Sequence, residues 1–179
     1  MRRLILSALI AACLAPLPGS TLQQLSLKDM ITESTAIVYG TVQPSFSAFR
    51  GAMIYTHYQV RITNFYKGSS VFGYLDLAVP GGVVNGVRQA FAGSPTLVPG
   101  QSYFLFLWTS KSGLTQIIGL SQGLFNVSTN ASGQLVVSRG ATTETMLNSA
   151  GQVVNDSNIK MTMAQMVSKI QSVLGGSGQ

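Results

Sequence analysis

Cysteine is almost absent from the chain: the single one, Cys13, lies near the start, in the string Ile10-Ala11-Ala12-Cys13. A chain that loses this segment keeps no disulfide, no thiolate nucleophile and no cysteine-metal site, so its stability must come from its core. Histidine is as scarce. His57 is the only one, and one imidazole without cysteine does not complete a zinc set, so no metal and no cofactor is expected. Charge is thin as well, at 9% of residues against the roughly 25% usual in soluble domains. That excludes an acidic or basic disordered tail protein. The five carboxylates, Asp29, Glu33, Asp76, Glu144 and Asp156, fall on different expected elements, so no paired-carboxylate chemistry is legible and all read as solvated surface. Lys67, Arg88, Lys111 and Arg139 stand singly between long neutral stretches, which argues against nucleic-acid binding.

What fills the 179 residues instead is 46% hydrophobic side chains, nineteen glycines, six prolines and many uncharged polar residues. A length within one domain's usual roughly 100–200 residues favours a single domain, and the composition points to an all-β, turn-rich protein outside the cytoplasm. Met1-Arg2-Arg3, the apolar run Leu4 to Ala15, then Pro16, Pro18, Gly19 and Ser20 have the layout of a secretory signal peptide. No later run approaches eighteen apolar residues, so no membrane span is expected in the mature chain. Cleavage near Gly19 or Ser20 removes two of eleven basic residues, leaving nine against five acidic ones, a net of +4. The string ending at Cys13 resembles a lipoprotein lipobox, so a lipid anchor at Cys13 stands as the alternative to free secretion.

Along the expected mature chain, Ser26 as N-cap, Asp29 three residues on and apolar Leu27, Met30 and Ile31 predict a short opening helix that plugs one end of a barrel or sheet. Ala36 to Val42 reads as a strand bent at Gly40. In Ile54 to Ile62 the alternation puts Ile54, Thr56, Tyr58, Val60 and Ile62 on a core face and Tyr55, His57, Gln59 and Arg61 on a wet one. Tyr74 to Val79 is a strand stopped by Pro80-Gly81-Gly82. Val83 to Gly100 reads as a small hairpin followed by a long loop, and Tyr103 to Trp108 as a central strand buried on both faces. Leu114 to Ile118, Leu124 to Val127 and Leu135 to Val137 complete the strands. Residues 139–158 lose periodicity and read as a linker or loop. Residues 159–179 hold an amphipathic helix with Thr162 and Gln165 as a capping box and Gly175-Gly176 as its end.

Two strings look catalytic. Gly119-Leu120-Ser121-Gln122-Gly123 matches the nucleophile-elbow pattern, but a strand follows it rather than a helix and His57 lies upstream, so a tight β-bend is expected and no enzyme is read here. Gly81-Gly82 lacks the lysine and helix start of a phosphate loop and reads as a turn.

The segments STLQQLSLKDM, TAIVYGTV, IYTHYQVRITNFYKG, LAVPGG, SPTLVPGQSYFLFL and GLSQGLF, in that order over about Ser20 to Val127, resemble a family of exported bacterial proteins of unknown function. The layout is also similar to the netrin-like, OB-type barrel of tissue inhibitors of metalloproteinases. The resemblance implies a small OB-like or netrin-like β-barrel over residues 21–138, with a helix near each end of the chain. Netrin-like inhibitors use an amino-terminal cysteine and several disulfides, which this chain lacks, so protease inhibition is not carried over with the fold.

The resulting expectation is a non-enzymatic binding module in the periplasm, envelope or medium, with an extracytoplasmic protein or ligand as partner. An inhibitor of an extracellular protease and a lipid-anchored structural envelope protein are the rivals. Loops and aromatic-bearing faces carry recognition more often than cores do, so the candidate surface is Tyr55, His57 and Arg61 on the wet face with Arg88 and Phe91 in the 83–100 region.

Overall fold

The computed structural model describes residues 21–69 and 72–176; the expected signal segment, with Cys13, lies outside them. In chain order the elements are β1 (Thr21–Gln23), α1 (Leu27–Glu33), β2 (Ala36–Arg50), β3 (Met53–Lys67), β4 (Tyr74–Pro80), β5 (Gly82–Val84), β6 (Val87–Gln89), β7 (Ser102–Thr109), β8 (Thr115–Ile117), β9 (Leu124–Thr129), β10 (Leu135–Arg139), β11 (Thr145–Leu147), β12 (Val153–Val154), β13 (Ile159–Thr162) and α2 (Met163–Gly176). The fold is mainly β.

The capping box that the sequence predicts closes α1: Ser26 Oγ accepts from the Asp29 N–H, and the Asp29 carboxylate accepts from the Ser26 N–H at 2.9 Å. The same arrangement starts α2. Thr162 Oγ1 accepts from the Gln165 N–H and Gln165 Oε1 accepts from the Thr162 N–H. Each box satisfies two donors that a helix start leaves orphaned.

The main sheet runs β13-β10-β9-β7-β2-β3-β4, with β8 paired to β7 beyond the end of β9. Alternation in β7 explains why it sits at the centre. Tyr103, Leu105 and Leu107 turn into one cluster with Val38, Val42, Tyr58, Val60 and Leu77. Phe104 and Phe106 turn into the other, with Ile37, Phe125 and Val137, under Met30 and Ile31 of α1 and Met166 and Ile170 of α2. Burying each of these side chains stabilises by about 1.5–3 kcal/mol relative to exposure. Thus α1 lies on a sheet face beside α2 rather than plugging an end.

β2 and β3 are twice the length of most strands, and two features bend them. A Cβ at Gly40 would stand 2.6 Å from the Arg61 carbonyl oxygen, so only glycine lets the two backbones approach there. A register shift between Val42 and Ser45 takes up Pro44, which has no N–H to give the ladder.

The expected barrel is not closed. Among the described residues, β4 pairs only with β3, and β8 only with β7. Their Cα atoms come within 8 Å of each other, but no backbone hydrogen bond among the described residues joins them. Pro80 ends β4 without a donor, and β8 is three residues long before Gly119 and Leu120 take positive φ. Residues 139–158, expected as a linker or loop, carry β11 and β12, and β11 pairs in parallel with β1 more than a hundred residues earlier. Residues 159–162 form a strand on β10 before the terminal helix begins.

Candidate functional site

The strings that stood out in the sequence turn out to be joints of the fold. β8 and β9 lie end to end along one edge of β7, and Gly119 to Gln122 bulge out between them opposite Phe106. The Ile118 N–H donates to the Phe106 carbonyl and the Phe106 N–H to the Gly123 carbonyl. Gln122, 1% exposed, accepts from the Leu25 N–H and donates to the Gln23 carbonyl, at 2.8 Å each. A Cβ at Gly123 would meet the Phe106 oxygen at 2.7 Å. Glycine, glutamine and glycine are therefore fixed by packing, and the bulge places Ser121 beside no imidazole. In line with Phe106 across the sheet, the Lys67 ammonium on β3 donates to the Ile31 and Thr32 carbonyls at the C-terminal end of α1. Burial pulls its pKa below the ordinary lysine value and pushes that of Tyr66, which stacks on Phe104, above the ordinary tyrosine value.

Tyr55, His57 and Arg61 share the outer face of β3, as the alternation predicts. His57 stacks on Phe46 with ring centroids 5.1 Å apart, and its Nδ1 lies 2.9 Å from the Asp76 carboxylate on β4. The sequence showed no carboxylate near His57 because the partner is nineteen residues away across a strand pair. Arg61 is exposed opposite Tyr74, and the Tyr55 hydroxyl reaches Met53 Sδ at 3.8 Å.

Arg88 and Phe91 lie elsewhere. The Gly81 N–H donates to the Ile54 carbonyl, and Gln89 carries the hairpin β5–β6 onto the β2–β3 end by accepting from the Ile54 N–H and donating to the Ala52 carbonyl. Gly82, at φ 143°, lies so close to Ser47 and Thr56 that a Cβ would stand 2.5 Å from Ser47 Oγ. This docking opens a cleft of about 360 Å³ whose walls include Thr56 and Tyr58 from the inner face of β3, the Pro80–Val83 turn, Arg88, Phe91 and Pro95. Five sequence candidates thus divide between two places: Arg88 and Phe91 in this cleft, Tyr55, His57 and Arg61 on the opposite face of β3.

A second cleft, of about 350 Å³, shares Val79, Pro80 and Pro95 with the first and lies along the unpaired seam between β4 and β8. Glu33, Ala78, Trp108, Gln116 and Ile117 contribute to it. Trp108, the only tryptophan, is 45% exposed although it lies next to the last residue of the most buried strand. It follows Phe104 and Phe106 on their face and pairs with Gln116, at the last turn of a run whose apolarity hid its exposure from the sequence. The sequence alone marks Glu33 as no more than solvated surface.

A third hollow of about 430 Å³ lies between the 93–94 loop, Ser121, Asn126 and residues 139–144. Beneath it Arg139 holds Asp156 in a two-point pair. Among the described residues no three His, Cys, Asp or Glu side chains converge as metal ligands, and no helix is long and apolar enough to cross a membrane. The chain matches no protein-family model, no curated protein and no solved structure.

Proposed function

We propose that this protein is an exported binding module that engages an extracytoplasmic partner through the two clefts meeting at Pro80 and Pro95. The observation that carries the reading is this pair of adjoining clefts at the open side of the sheet, with Phe91 40% exposed in one and Trp108 45% exposed in the other. Aromatic side chains in concave surroundings are the groups that recognition sites concentrate. Gln89 and the Gly81–Gly82 turn hold the Phe91 side of this surface on rigid strands, so little order has to be acquired on binding.

Export is supported by the Met1 to Ser20 layout, and the low charge and rich turn content suit a folded life outside the cytoplasm. The reading we favour for the path is an OB-like, partly open barrel, supported by the β2–β3–β4 meander, the return of β7 to the free side of β2, and the approach of β8 to β4 across the seam. That architecture presents loops around one mouth. The resemblance to exported bacterial proteins of unknown function accords with this reading, and so does a lipid anchor at Cys13.

The test is chemical crosslinking of the tagged mature protein in its native envelope and medium, with captured partners identified by mass spectrometry. One saturable partner, lost in Phe91→Ala and Trp108→Ala variants that melt like the wild type, is expected. Capture unaffected by both variants would overturn the reading.

A further inference from the structure

We propose that the cleft bounded by Glu33, Trp108 and Pro95 takes a lysine or arginine side chain from an extended segment of the partner protein. This rests on the binding-module reading and names the chemistry that one of the two clefts selects.

Among the described residues, Glu33 is the one of the five carboxylate side chains left without a partner. Asp29 is held by Ser26, Asp76 by His57 and Asp156 by Arg139, and Glu144 is engaged as well. Glu33 is exposed at the end of α1 and lines a cleft that has no cationic side chain in its walls. Lys67, at the end of β3, is spent on the Ile31 and Thr32 carbonyls, and no ion pair to Glu33 forms among the described residues. In a chain of net +4 after cleavage, this is a local site of negative charge, and it opens beside the only tryptophan. An indole face attracts a cation, a carboxylate attracts it further, and Pro80, Pro95 and Ile117 give apolar surface to the long stem of a lysine or arginine. Gln116, paired with Trp108 across the ladder, adds an amide to hydrogen-bond the head group.

The main chain of the seam favours a peptide over a free amine. The Gly81 to Ile54 hydrogen bond sets the alternation of the β3–β4 ladder, so Ala78 turns its N–H and C=O away from β3. By the same rule, the Ile118 to Phe106 bond turns the N–H and C=O of Ile117 away from β7. Both residues line the cleft and so offer backbone groups to a bound chain. A strand inserted between two others needs about 9.6 Å between them, twice the usual spacing. β4 and β8 approach more closely than that, so the peptide lies across the seam and does not complete the ladder.

Trp108 fluorescence reads the site directly, because no other tryptophan contributes. The mature protein is titrated with Ac-Ala-Lys-Ala-amide, Ac-Ala-Gln-Ala-amide and n-butylamine, and a Glu33→Gln variant with the same three. The lysine peptide is expected to give a saturable change, at least about tenfold tighter than the glutamine peptide, weakened by salt and reduced to the glutamine level in E33Q. Equal binding of the two peptides, unchanged binding in E33Q, or no saturation by the lysine peptide up to about 10 mM, a Kd equivalent to less than 3 kcal/mol of affinity, overturns the proposal. Butylamine binding as tightly as the peptide overturns its peptide component. Partner capture that still depends on Phe91 while the E33Q variant captures normally removes the cationic selectivity alone; loss of all cleft dependence removes the binding-module reading with it.

Discussion

Arg139 and Asp156 form a two-point ion pair, Nη1 to Oδ2 and Nη2 to Oδ1 at 2.9 Å each, with side chains only 8% and 3% exposed. Asp156 also accepts from the Thr142 N–H, so one carboxylate gathers the end of β10 and both ends of the 139–158 segment. Burial pushes its pKa up, but the hydrogen bonds from Arg139, Thr142 and Ser157 and the guanidinium charge outweigh this and hold it below the ordinary aspartate value of 3.8. A lowered folded pKa contributes stability that is present above the unfolded value and lost as pH falls through the folded one. Asp156→Asn, which leaves the buried guanidinium without its counter-charge, is expected to destabilise by about 3 kcal/mol at neutral pH. Urea melts from pH 7 to below pH 4 should show the wild type losing stability in the acid range and the variant losing less.

The bulge between β8 and β9 gives a second test, because its serine and its flanking residues have opposite expectations. Gln122→Ala strands the Leu25 N–H and Gln23 carbonyl and should cost about 2 kcal/mol. Gly123→Ala sets a Cβ against the Phe106 carbonyl and should cost as much or more. Ser121→Ala should leave thermal stability within about 0.5 kcal/mol of wild type. A serine change that destabilises more than the glutamine change would contradict the assignment of this string to packing.

Each capping box is expected to act locally. Thr162→Ala should lower stability by about 1 kcal/mol, and Ser26→Ala by a similar amount, in denaturant titrations. Since Met166 and Ile170 carry α2 onto the sheet, losing the cap should loosen the helix without releasing it, and circular dichroism of the Thr162→Ala variant should retain its helical signal at 25 °C.

The caps, the central strand and the alternation of β3 were legible because each is a local signal: Ser26 to Asp29, Thr162 to Gln165, an apolar run, a period of two. The open seam was not, since it depends on where Pro80 and a three-residue β8 happen to stop relative to one another. Residues 139–158 concealed β11 and β12 because strands of two or three residues have no period, and β11 is defined by its pairing with β1 at the far end of the chain. The candidate site was half legible. Arg88 and Phe91 followed from the loop they occupy, whereas Glu33 and Trp108 meet only through the fold, one at a helix end and the other at the end of a buried strand.

His57 gives a contrasting expectation. It stacks on Phe46 and approaches Asp76, whose side chain is 57% exposed, so water screens the pair. His57→Gln should change stability by less than about 1 kcal/mol, and because His57 lines neither cleft it should leave binding of the lysine peptide to Trp108 unchanged. A loss of peptide affinity in this variant would place recognition on the His57 patch instead.

The most direct measurement replaces Phe91, and in a separate protein Phe46, with a photo-crosslinking phenylalanine analogue and irradiates each in the native envelope and medium. Both positions are exposed aromatics, one in the cleft around Pro95 and the other beside His57 on the outer face. A discrete, saturable adduct from position 91 and none from position 46 is the expected result. An adduct from position 46 alone, or none from either, would contradict the claim that this protein binds its partner through the clefts.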